Sequence, residues 1–369
     1  MNPFLHILGI SIKYLLINSR TLLKLLFQRQ KLNLLNSDNI DTVVFTHNLG
    51  GGTLNYEKQN FYVENILIIR VVSYRNDFCF SIENAGDKLV ATKKNVFDFV
   101  KSLKIKNVIV NSLCGYKNPE QILLFVMNNF RTSFNKYLVH DYHCVCNKNN
   151  ATLLLKEKYC GLKCSGCRLE KKAEKWRRLW HGYFKIVNEI VCFSNSSKEI
   201  LTSVFPEIKN RISVIPHSMD YCTFSPLNIK NACNIAVVGN CSNIPKGKNV
   251  IKKLVKATKK ARNRKFYIVG KAPFFFHHNS RFVEYSGKYN LKFLPEILES
   301  GKIGVVVFTS ILPETFSYAV SEFMRLGLYI VSLNLGAQGE KLKNYEKAVF
   351  VKDLRPETIL EGVEKCFTL

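Results

Sequence analysis

The sequence lacks any uninterrupted apolar run near the roughly 20 residues that a membrane-spanning helix needs. Its most apolar stretch lies within residues 1–36 and is broken by His6, Lys13, Asn18, Arg20 and Lys24. It also lacks the small-residue cleavage site that follows the apolar core of a secretory signal peptide. We therefore expect residues 1–36 to form amphipathic helices. These either lie on a membrane surface, which is the preferred alternative, or pack on the domain that follows.

Acidic residues are scarce, because 28 Asp and Glu stand against 54 Lys and Arg and leave a formal net charge of +26. A surface of this charge attracts nucleic acid, anionic lipid or phosphorylated ligands, and charge alone does not choose among them. The densest basic segment, residues 246–265, holds ten Lys or Arg and no acid. As a helix it would bury Val250, Ile251, Leu254 and Val255 and expose a basic face.

Repeats and long low-complexity segments are also absent, and 47% of the residues are apolar, which indicates a globular chain. A chain of 369 residues is long enough for two domains. Strand-like and helical patterns alternate in each half, so the predicted class is α/β with two Rossmann-like, doubly wound parallel sheets. The predicted boundaries are 37–230 for an N-terminal domain with a cysteine-rich insertion at 143–170, 231–354 for a C-terminal domain, and 355–369 for a last helix.

Twelve cysteines would suit a disulfide-bonded secreted protein, but without a secretion signal we expect a cytoplasmic protein with reduced thiols. Five of them, beginning with Cys144, fall within 24 residues. Four thiolates are the ligand set of a structural zinc ion, so Cys146, Cys160, Cys164 and Cys167 are candidate zinc ligands. Reduced free thiols are the alternative, and the sequence leaves both open.

A glycine-rich turn follows the first predicted strand, Thr42–Thr46. Gly50, Gly51 and Gly52 would let the backbone come close to a ligand or to a neighbouring helix. Their spacing fits neither the dinucleotide-binding fingerprint nor a P-loop, so these glycines alone do not identify the ligand.

Two histidines follow predicted strands. His140 ends the predicted strand Tyr137–His140, and His47 follows the first strand directly. A histidine that points from a strand end into a cleft can donate to a sugar hydroxyl or a phosphate oxygen. A structural role is the alternative for both, and for His47 it is the preferred one.

Two carboxylates, Glu314 and Glu322, lie across a predicted strand-to-helix turn. A buried strand at 302–308 precedes the turn, and helical spacing runs from Phe316 to Arg325. In such a unit the loop beyond the strand faces the ligand crevice, and the N–H groups that open the helix, here near Thr315, form an anion site.

The spacing of these carboxylates allows two roles. Glu322, about two turns into the predicted helix, could accept hydrogen bonds from paired ribose hydroxyls, and Glu314 could contact a second sugar. Solvated charges at a helix end are the alternative, since the helix dipole favours an acid near the N-terminus.

Another turn follows the first strand of the second half and runs from Gly239 to Gly247. Lys246 stands near its end and would be a point charge for a diphosphate. An ordinary lysine at a helix start is the alternative.

The segment with Glu314 and Glu322 resembles the paired-glutamate signature of glycosyltransferase family 4, retaining enzymes of the GT-B fold. The Gly50–Gly52 turn and Lys246-Gly247 resemble that family's glycine-rich loop and phosphate-binding turn. The surroundings of His140 resemble the family's His-Asp segment. The resemblance implies two Rossmann-like domains facing across a cleft.

Each matched position then has an implied role. Glu314 and His140 lie beside the transferred sugar, and Glu322 holds the ribose. Lys246, Gly239, Thr315 and Phe316 surround the diphosphate. The chain departs from the family at Ser317, where glycine is common, and at Asn240, where arginine is common. Lys248 or Arg325 would have to supply the missing charge.

The implied function is transfer of a sugar from a nucleotide diphosphate-sugar to a saccharide acceptor. The acceptor is expected to be lipid-linked and the enzyme peripheral at the cytoplasmic face of an anionic membrane, in surface polysaccharide synthesis. No cofactor is expected in catalysis, because Lys246 and the helix start would stabilise the leaving diphosphate. The absence of an Asp-x-Asp pair argues against the metal-dependent GT-A alternative.

Two rival functions remain open. A nucleotide-sugar epimerase of the same architecture would isomerise the donor without any acceptor. A basic zinc-containing nucleic-acid-binding protein would explain the charge and the cysteines. The interleaved aromatic and basic pattern of a single-strand platform is missing, so we expect no nucleic-acid partner.

Overall fold

The structure is a computed structural model that describes residues 39–47, 49–73, 76–147, 153–162, 164, 167, 169–261, 263–277 and 279–368. The helices predicted for residues 1–36 lie outside the described residues. The described chain divides into two compact units. One contains the described residues up to His140 with Arg177–Val191 and Asn210–Ser213; the other contains Asp141–Trp176, Cys192–Lys209 and the residues from Val214 onward.

The first part of the chain contains the strands of a mixed sheet, the helices between them and a separate hairpin. Its elements are β1 (Thr42–Thr46), α1 (Gly52–Asn60), β2 (Ile66–Ser73), β3 (Asn76–Asn84), β4 (Asp87–Thr92), α2 (Lys93–Ser102), β5 (Asn107–Val110), α3 (Pro119–Asn129), β6 (Phe134–Leu138), β7 (Leu154–Leu155), β8 (Lys158–Tyr159), α4 (Glu170–Phe184), β9 (Glu189–Cys192), α5 (Asn195–Val204) and β10 (Ile212–Val214). Eight strands pair in the order β10-β9-β6-β5-β1-β2-β3-β4. The remaining two, β7 and β8, form a separate antiparallel hairpin.

The prediction of a wholly parallel first sheet is wrong at one edge. β1 pairs in parallel with β2 and β5, as predicted, but β2 pairs with β3 and β3 with β4 in antiparallel fashion. The connection between β3 and β4 is the two-residue turn Ala85-Gly86, with φ angles of 46° and 98°. Positive φ at both positions is typical of the tight turn that matches the twist of two antiparallel strands. Gly86 suits this turn, but Ala85 is not among the residues that signal it in a sequence.

A buried ionic cluster lies beside β1 in this unit. Arg70 of β2 contacts Glu57 of α1 and Glu83 of β3, and the side chains of Arg70 and Glu57 are 7% and 1% exposed. Burial raises the pKa of Glu57, and the Arg70 charge partly offsets that rise. Because α1 begins directly after Gly51, the cluster fixes the helix that follows the glycine-rich turn.

Replacing Arg70 with methionine should destabilise the protein by about 3–5 kcal/mol, because two buried carboxylates would lose their common partner. Urea unfolding measures the effect. Lys101→Met is the matched control, since Lys101 pairs with Asp98 at 3.6 Å on an exposed surface, and its loss should cost less than about 1 kcal/mol. Equal effects of the two substitutions would contradict the structural role assigned to Arg70.

The second unit contains a wholly parallel sheet. Its elements are β11 (Asn234–Asn240), α6 (Lys248–Ala261), β12 (Phe266–Lys271), β13 (Val283–Gly287), α7 (Leu294–Ser300), β14 (Ile303–Phe308), α8 (Tyr318–Arg325), β15 (Tyr329–Leu333), α9 (Gly336–Leu342), β16 (Ala348–Val351) and α10 (Pro356–Thr368). The strand order is β13-β12-β11-β14-β15-β16, and each neighbouring pair is parallel. The order reverses between β11 and β14. Loops that leave adjacent strands at such a reversal enclose the usual ligand crevice of an open α/β sheet.

Apolar layers cover both faces of this sheet. On one face, Ile251 and Leu254 of α6 are buried with Val250 and Val255 packed beside them, which confirms the face predicted for the basic helix. The other face is covered by residues of α7 and α8. Among the described helices, none combines the length and apolar content that crossing a bilayer requires.

Candidate functional site

The loops after β11 and β14 are bonded to each other at the reversal of strand order. Thr309 Oγ1 donates to the carbonyl oxygen of Lys246 at 2.8 Å, and the N–H of Ile311 donates to that of Pro245 at 3.0 Å. Gly247 makes this approach feasible, because its φ is +83° and an added Cβ would lie 2.7 Å from the Cβ of Thr309. The residue after Lys246 must therefore be glycine for steric reasons.

Gly247→Ala should destabilise the protein by about 2–4 kcal/mol, because it adds overpacking against Thr309 to an unfavourable left-handed backbone. Gly287→Ala is the control. Gly287 has a similar φ of +76°, but the nearest atom to its added Cβ is 4.0 Å away. It should cost only about 1–2 kcal/mol. Urea unfolding of both variants measures the difference, and equal costs would show that the loop contact is not tight.

Glu314 and Lys246 meet at this point. The Lys246 ammonium donates to Glu314 Oε1, and the two side chains are 47% and 14% exposed, respectively. Burial alone would raise the pKa of Glu314, but the neighbouring Lys246 charge holds the pKa below its ordinary value. The sequence predicted separate roles for these residues, and the structure brings them into contact.

The loop that carries Glu314 is fixed from behind by α9. Gln338 is fully buried and bonds both sides of the loop: its Oε1 accepts from the Glu314 N–H at 2.9 Å, and its Nε2 donates to the Leu312 carbonyl oxygen at 2.7 Å. The N–H of Ala337 donates to the Glu314 carbonyl oxygen at 2.9 Å. Sequence reasoning missed Gln338, because nothing in a single sequence distinguishes a buried amide from a solvated one.

The helix after Glu314 begins later than the sequence predicted. It starts at Tyr318 rather than Phe316, and Ser317 precedes it with φ 64° and ψ 79°. This left-handed conformation favours glycine, which explains why a glycine is expected at the position. Ser317, which departs from the glycine common in the family that the segment resembles, therefore carries a side chain at a backbone position that favours glycine.

The later start also corrects the position of Glu322, which lies one turn into α8 instead of two. Glu322 is buried, and its Oε1 accepts a hydrogen bond from the Tyr221 hydroxyl at 2.7 Å. Burial raises the pKa of Glu322, although Tyr221 and Lys341 partly offset the rise. Tyr221 is therefore part of the candidate site and was not found from sequence.

Lys341 of α9 is the third residue of the site, after Gln338 and Tyr221, that sequence reasoning missed. Its Nζ donates to Ser321 Oγ at 2.5 Å and to the Ser317 carbonyl oxygen at 3.3 Å, and it lies 3.2 Å from the centroid of the Phe316 ring. Burial lowers the pKa of Lys341 to about 7, against the charges of Glu314, Glu340 and Glu322. Together with burial, Lys341 also lowers the pKa of His217, to about 3.

Wild-type stability should rise relative to Lys341→Met as the pH increases from 7 to 10. In the folded protein the pKa of Lys341 is about 7, so the side chain loses its proton near that pH. In the unfolded chain Lys341 keeps its proton up to about pH 10.4. The cost of burying the charge is therefore complete below pH 7. This cost decreases as the pH rises above 7, by up to about 1 kcal/mol per pH unit, so the free energy of unfolding increases. Urea unfolding across this range measures the difference, with the exposed Lys343→Met as control. A difference that does not change with pH would contradict the assignment.

The cations considered as substitutes for an arginine at Asn240 make other contacts. Arg325 Nη1 donates to the carbonyl oxygen of Met219 at 3.0 Å and to that of Cys222, and the Lys248 ammonium lies 5.7 Å from the centroid of the Phe275 ring. Gly239, at the end of β11, has a φ of +113° with no atom within 4 Å of an added Cβ.

The remaining candidates lie in the first unit. Gly50 and Gly51 have φ angles of +77° and +73°, with no atom within 4 Å of an added Cβ, and Gly52 opens α1. His140 lies two residues beyond the end of β6 rather than within the strand, and its ring contacts Tyr56 at 5.1 Å between centroids. His47 is buried and its Nδ1 accepts the Leu49 N–H at 3.2 Å.

In the part of the chain that the structure describes, no disulfide joins the cysteines of the insertion. Burial raises the pKa of the Cys160 thiol, and the charges of Cys146 and Cys164 add to that rise. Within the described residues, no three His, Cys, Asp or Glu side chains form a group that could hold a metal ion. Zinc binding by Cys146, Cys160, Cys164 and Cys167 stays a prediction.

Comparison with known proteins identifies the fold. No protein family and no curated protein matches the sequence. The solved structure of Anabaena HepE in complex with UDP does match, with 13% identity, coverage of 89% of this chain and 90% of that chain, and a TM-score of 0.57. Sucrose-phosphate synthase from Thermosynechococcus elongatus matches with 12% identity, coverage of 89% and 90%, and a TM-score of 0.56.

A third structure, the apo form of the lipopolysaccharide outer core galactosyltransferase WaaB, matches with 11% identity, coverage of 89% and 90%, and a TM-score of 0.55. At identities this low, the likeness shows the fold alone. The chain has the α/β GT-B fold, as the sequence predicted.

Proposed function

We propose that this protein is a glycosyltransferase that uses a nucleotide diphosphate-sugar, of the retaining family 4 type. One observation carries the proposal: the loops at the reversal of strand order bring Lys246 and Glu314 together, and the helix that follows carries Glu322. A cation can bind a diphosphate, and carboxylates can accept hydrogen bonds from the hydroxyls of a ribose or a sugar.

Each group has a proposed role in binding or transfer. Lys246 attracts the diphosphate, since an ammonium keeps further N–H donors besides the one on Glu314. The Glu322 carboxylate accepts hydrogen bonds from the ribose hydroxyls. We assign Glu314 to the transferred sugar, where it stabilises positive charge that develops as the bond to the diphosphate breaks. The family resemblance is the basis for giving His140 a role at the same sugar. Retention of configuration is proposed from the family resemblance.

The solved neighbours support the donor class. HepE has been crystallised with UDP and with UDP-glucose, and WaaB is described as a galactosyltransferase of lipopolysaccharide. We extend to this chain the use of a nucleotide-sugar donor and a saccharide acceptor, lipid-linked and serving surface polysaccharide synthesis.

Peripheral attachment to the cytoplasmic face of an anionic membrane is part of the proposal. The outer face of α6 exposes Lys252, Lys256, Lys259 and Lys260. Beside the start of this helix, Phe274 and Phe275 are 78% and 45% exposed. Exposed aromatic rings next to lysines suit the interface of an anionic bilayer. Co-sedimentation with anionic and with neutral lipid vesicles tests this attachment, and equal recovery with both would contradict it.

A donor screen tests the proposed function. The purified chain is incubated with UDP-, GDP- and ADP-sugars, with and without saccharide or lipid-linked saccharide acceptors, and nucleoside diphosphate release is followed. Release that depends on the acceptor is expected for at least one donor. Isomerisation of a donor without acceptor would instead support the epimerase. If no donor binds and no donor is turned over, the proposal is refuted.

A further inference from the structure

A cavity of about 650 Å³ opens at the carboxyl ends of β14, β15 and β16. Its walls come from the hairpin β7–β8, from the first turns of α6 and from the loops that follow the three strands. The volume is in the usual range for a small-molecule site. It adjoins the candidate donor site, because Ile311 in its wall bonds to the loop that carries Lys246.

The interior of this cavity is apolar. Val250, Ile311, Leu333, Leu335 and Leu354 line it, and Ile311 is buried while the others are partly buried. Aliphatic side chains exposed in a cavity gain from contact with an apolar ligand, because the contact removes their surface from water.

Most of the charged residues in the lining are basic. Lys156, Lys158, Lys253 and Lys352 contribute to it, and within the described parts of the chain none of these lysines has a carboxylate within salt-bridge distance. The acidic lining residues have partners: Asp353 pairs with Arg355 at 3.0 Å.

The other acidic residue, Glu157, anchors the hairpin. Its Oε1 accepts from Asn249 Nδ2 of α6 at 2.6 Å, so the β7–β8 turn is held over the cavity. The turn residues Lys156 and Glu157 have φ angles of +47° and +59°. Such turns favour Asn-Gly, and an L-residue with a larger side chain costs about 1–2 kcal/mol at each position. Strain of this kind is usual where side chains serve a site.

We infer that this cavity binds an amphiphilic phosphate, with the alkyl portion on the apolar lining and the phosphate on the lysines. Apolar side chains and lysines that have no carboxylate partner in the described chain line one open cavity. A free sugar would not use the apolar side chains, and a neutral lipid would not use the lysines. That the bound compound is the acceptor lipid of the transfer reaction rests on the proposed function; the binding itself does not.

Binding of decyl phosphate to the full-length protein tests the inference, at concentrations below those that form micelles. Isothermal titration should detect decyl phosphate and find inorganic phosphate at least tenfold weaker. Lys253→Glu should weaken decyl phosphate binding by about tenfold or more, since it replaces a charge-assisted hydrogen bond with repulsion. Lys352→Glu should have a similar effect.

The matched control is Lys256→Glu, which makes the same charge change on the exposed face of α6 but does not line the cavity. If Lys253→Glu and Lys256→Glu weaken decyl phosphate binding equally, the binding reflects only general attraction to a basic protein. That result would overturn the inference. Equal affinity for inorganic and decyl phosphate would do the same. If Lys253→Glu loses binding to anionic vesicles but keeps its binding of decyl phosphate, Lys253 belongs to a membrane-binding surface and the inference is overturned.

The result of this binding test can be distinguished from the result of the test of the proposed function. Nucleotide binding to Lys253→Glu should match the wild type, since Lys253 is not part of the donor site. Decyl phosphate binding without any nucleotide binding would retain this inference and refute the glycosyltransferase proposal.

Discussion

Glu314→Gln should reduce glycosyl transfer by about 100-fold or more, mainly in kcat. Glu314 is held beside Lys246 at the reversal of strand order, and the neighbouring ammonium keeps its pKa low, so the carboxylate is ionised at neutral pH. The amide has nearly the same shape and lacks the charge. It therefore cannot stabilise the positive charge that develops on the transferred sugar.

The control for Glu314→Gln is Glu299→Gln, an exposed acid on α7. Steady-state kinetics with the donor identified by the screen separates the effects on kcat and KM, and thermal unfolding checks that both variants fold. Activity of Glu314→Gln within threefold of the wild type would remove Glu314 from the reaction centre.

Glu322→Gln should weaken binding of the nucleoside diphosphate by about 10-fold to 100-fold, because hydrogen bonds to a charged acceptor are worth about 1.5–3 kcal/mol. The substitution keeps an acceptor near the Tyr221 hydroxyl but removes the charge. Isothermal titration measures the loss directly and needs no acceptor.

A deoxy-nucleotide provides the sharper control for Glu322. Wild type should bind the 2′-deoxynucleoside diphosphate more weakly than the ribonucleotide, whereas Glu322→Gln should discriminate little between them. Unchanged discrimination in the variant would show that Glu322 does not contact the ribose, whatever its effect on overall affinity.

The sequence predicted most of the second unit because its strands are buried on both faces. Runs such as Ile303–Phe308, in which every residue is buried, differ clearly from the amphipathic helices between them. The predicted buried face of α6 was confirmed for the same reason. At the edge of the first sheet, β3 and β4 were not predicted, because the Ala85-Gly86 turn between them lacks the Asn-Gly or Asp-Gly pair that signals a hairpin.

Only part of the candidate site was predicted from the sequence, because the rest depends on contacts between residues that are distant in sequence. Glu314 and Glu322 were found because both lie on one strand-turn-helix segment. Tyr221, Gln338 and Lys341 reach that segment from other parts of the chain, and their roles depend on burial and hydrogen bonds that a single sequence does not specify. Ser317 was noted only as a departure from the family's common glycine, and its left-handed backbone was not predicted.

The most direct test of the central claim is a crystal structure of the protein with the nucleoside diphosphate that binds in the donor screen. The account predicts the diphosphate within hydrogen-bond distance of Lys246 Nζ, at the loop before α8, and the ribose hydroxyls on the Glu322 carboxylate. A nucleotide bound elsewhere, with Lys246 and Glu322 making no contact to it, would contradict the account.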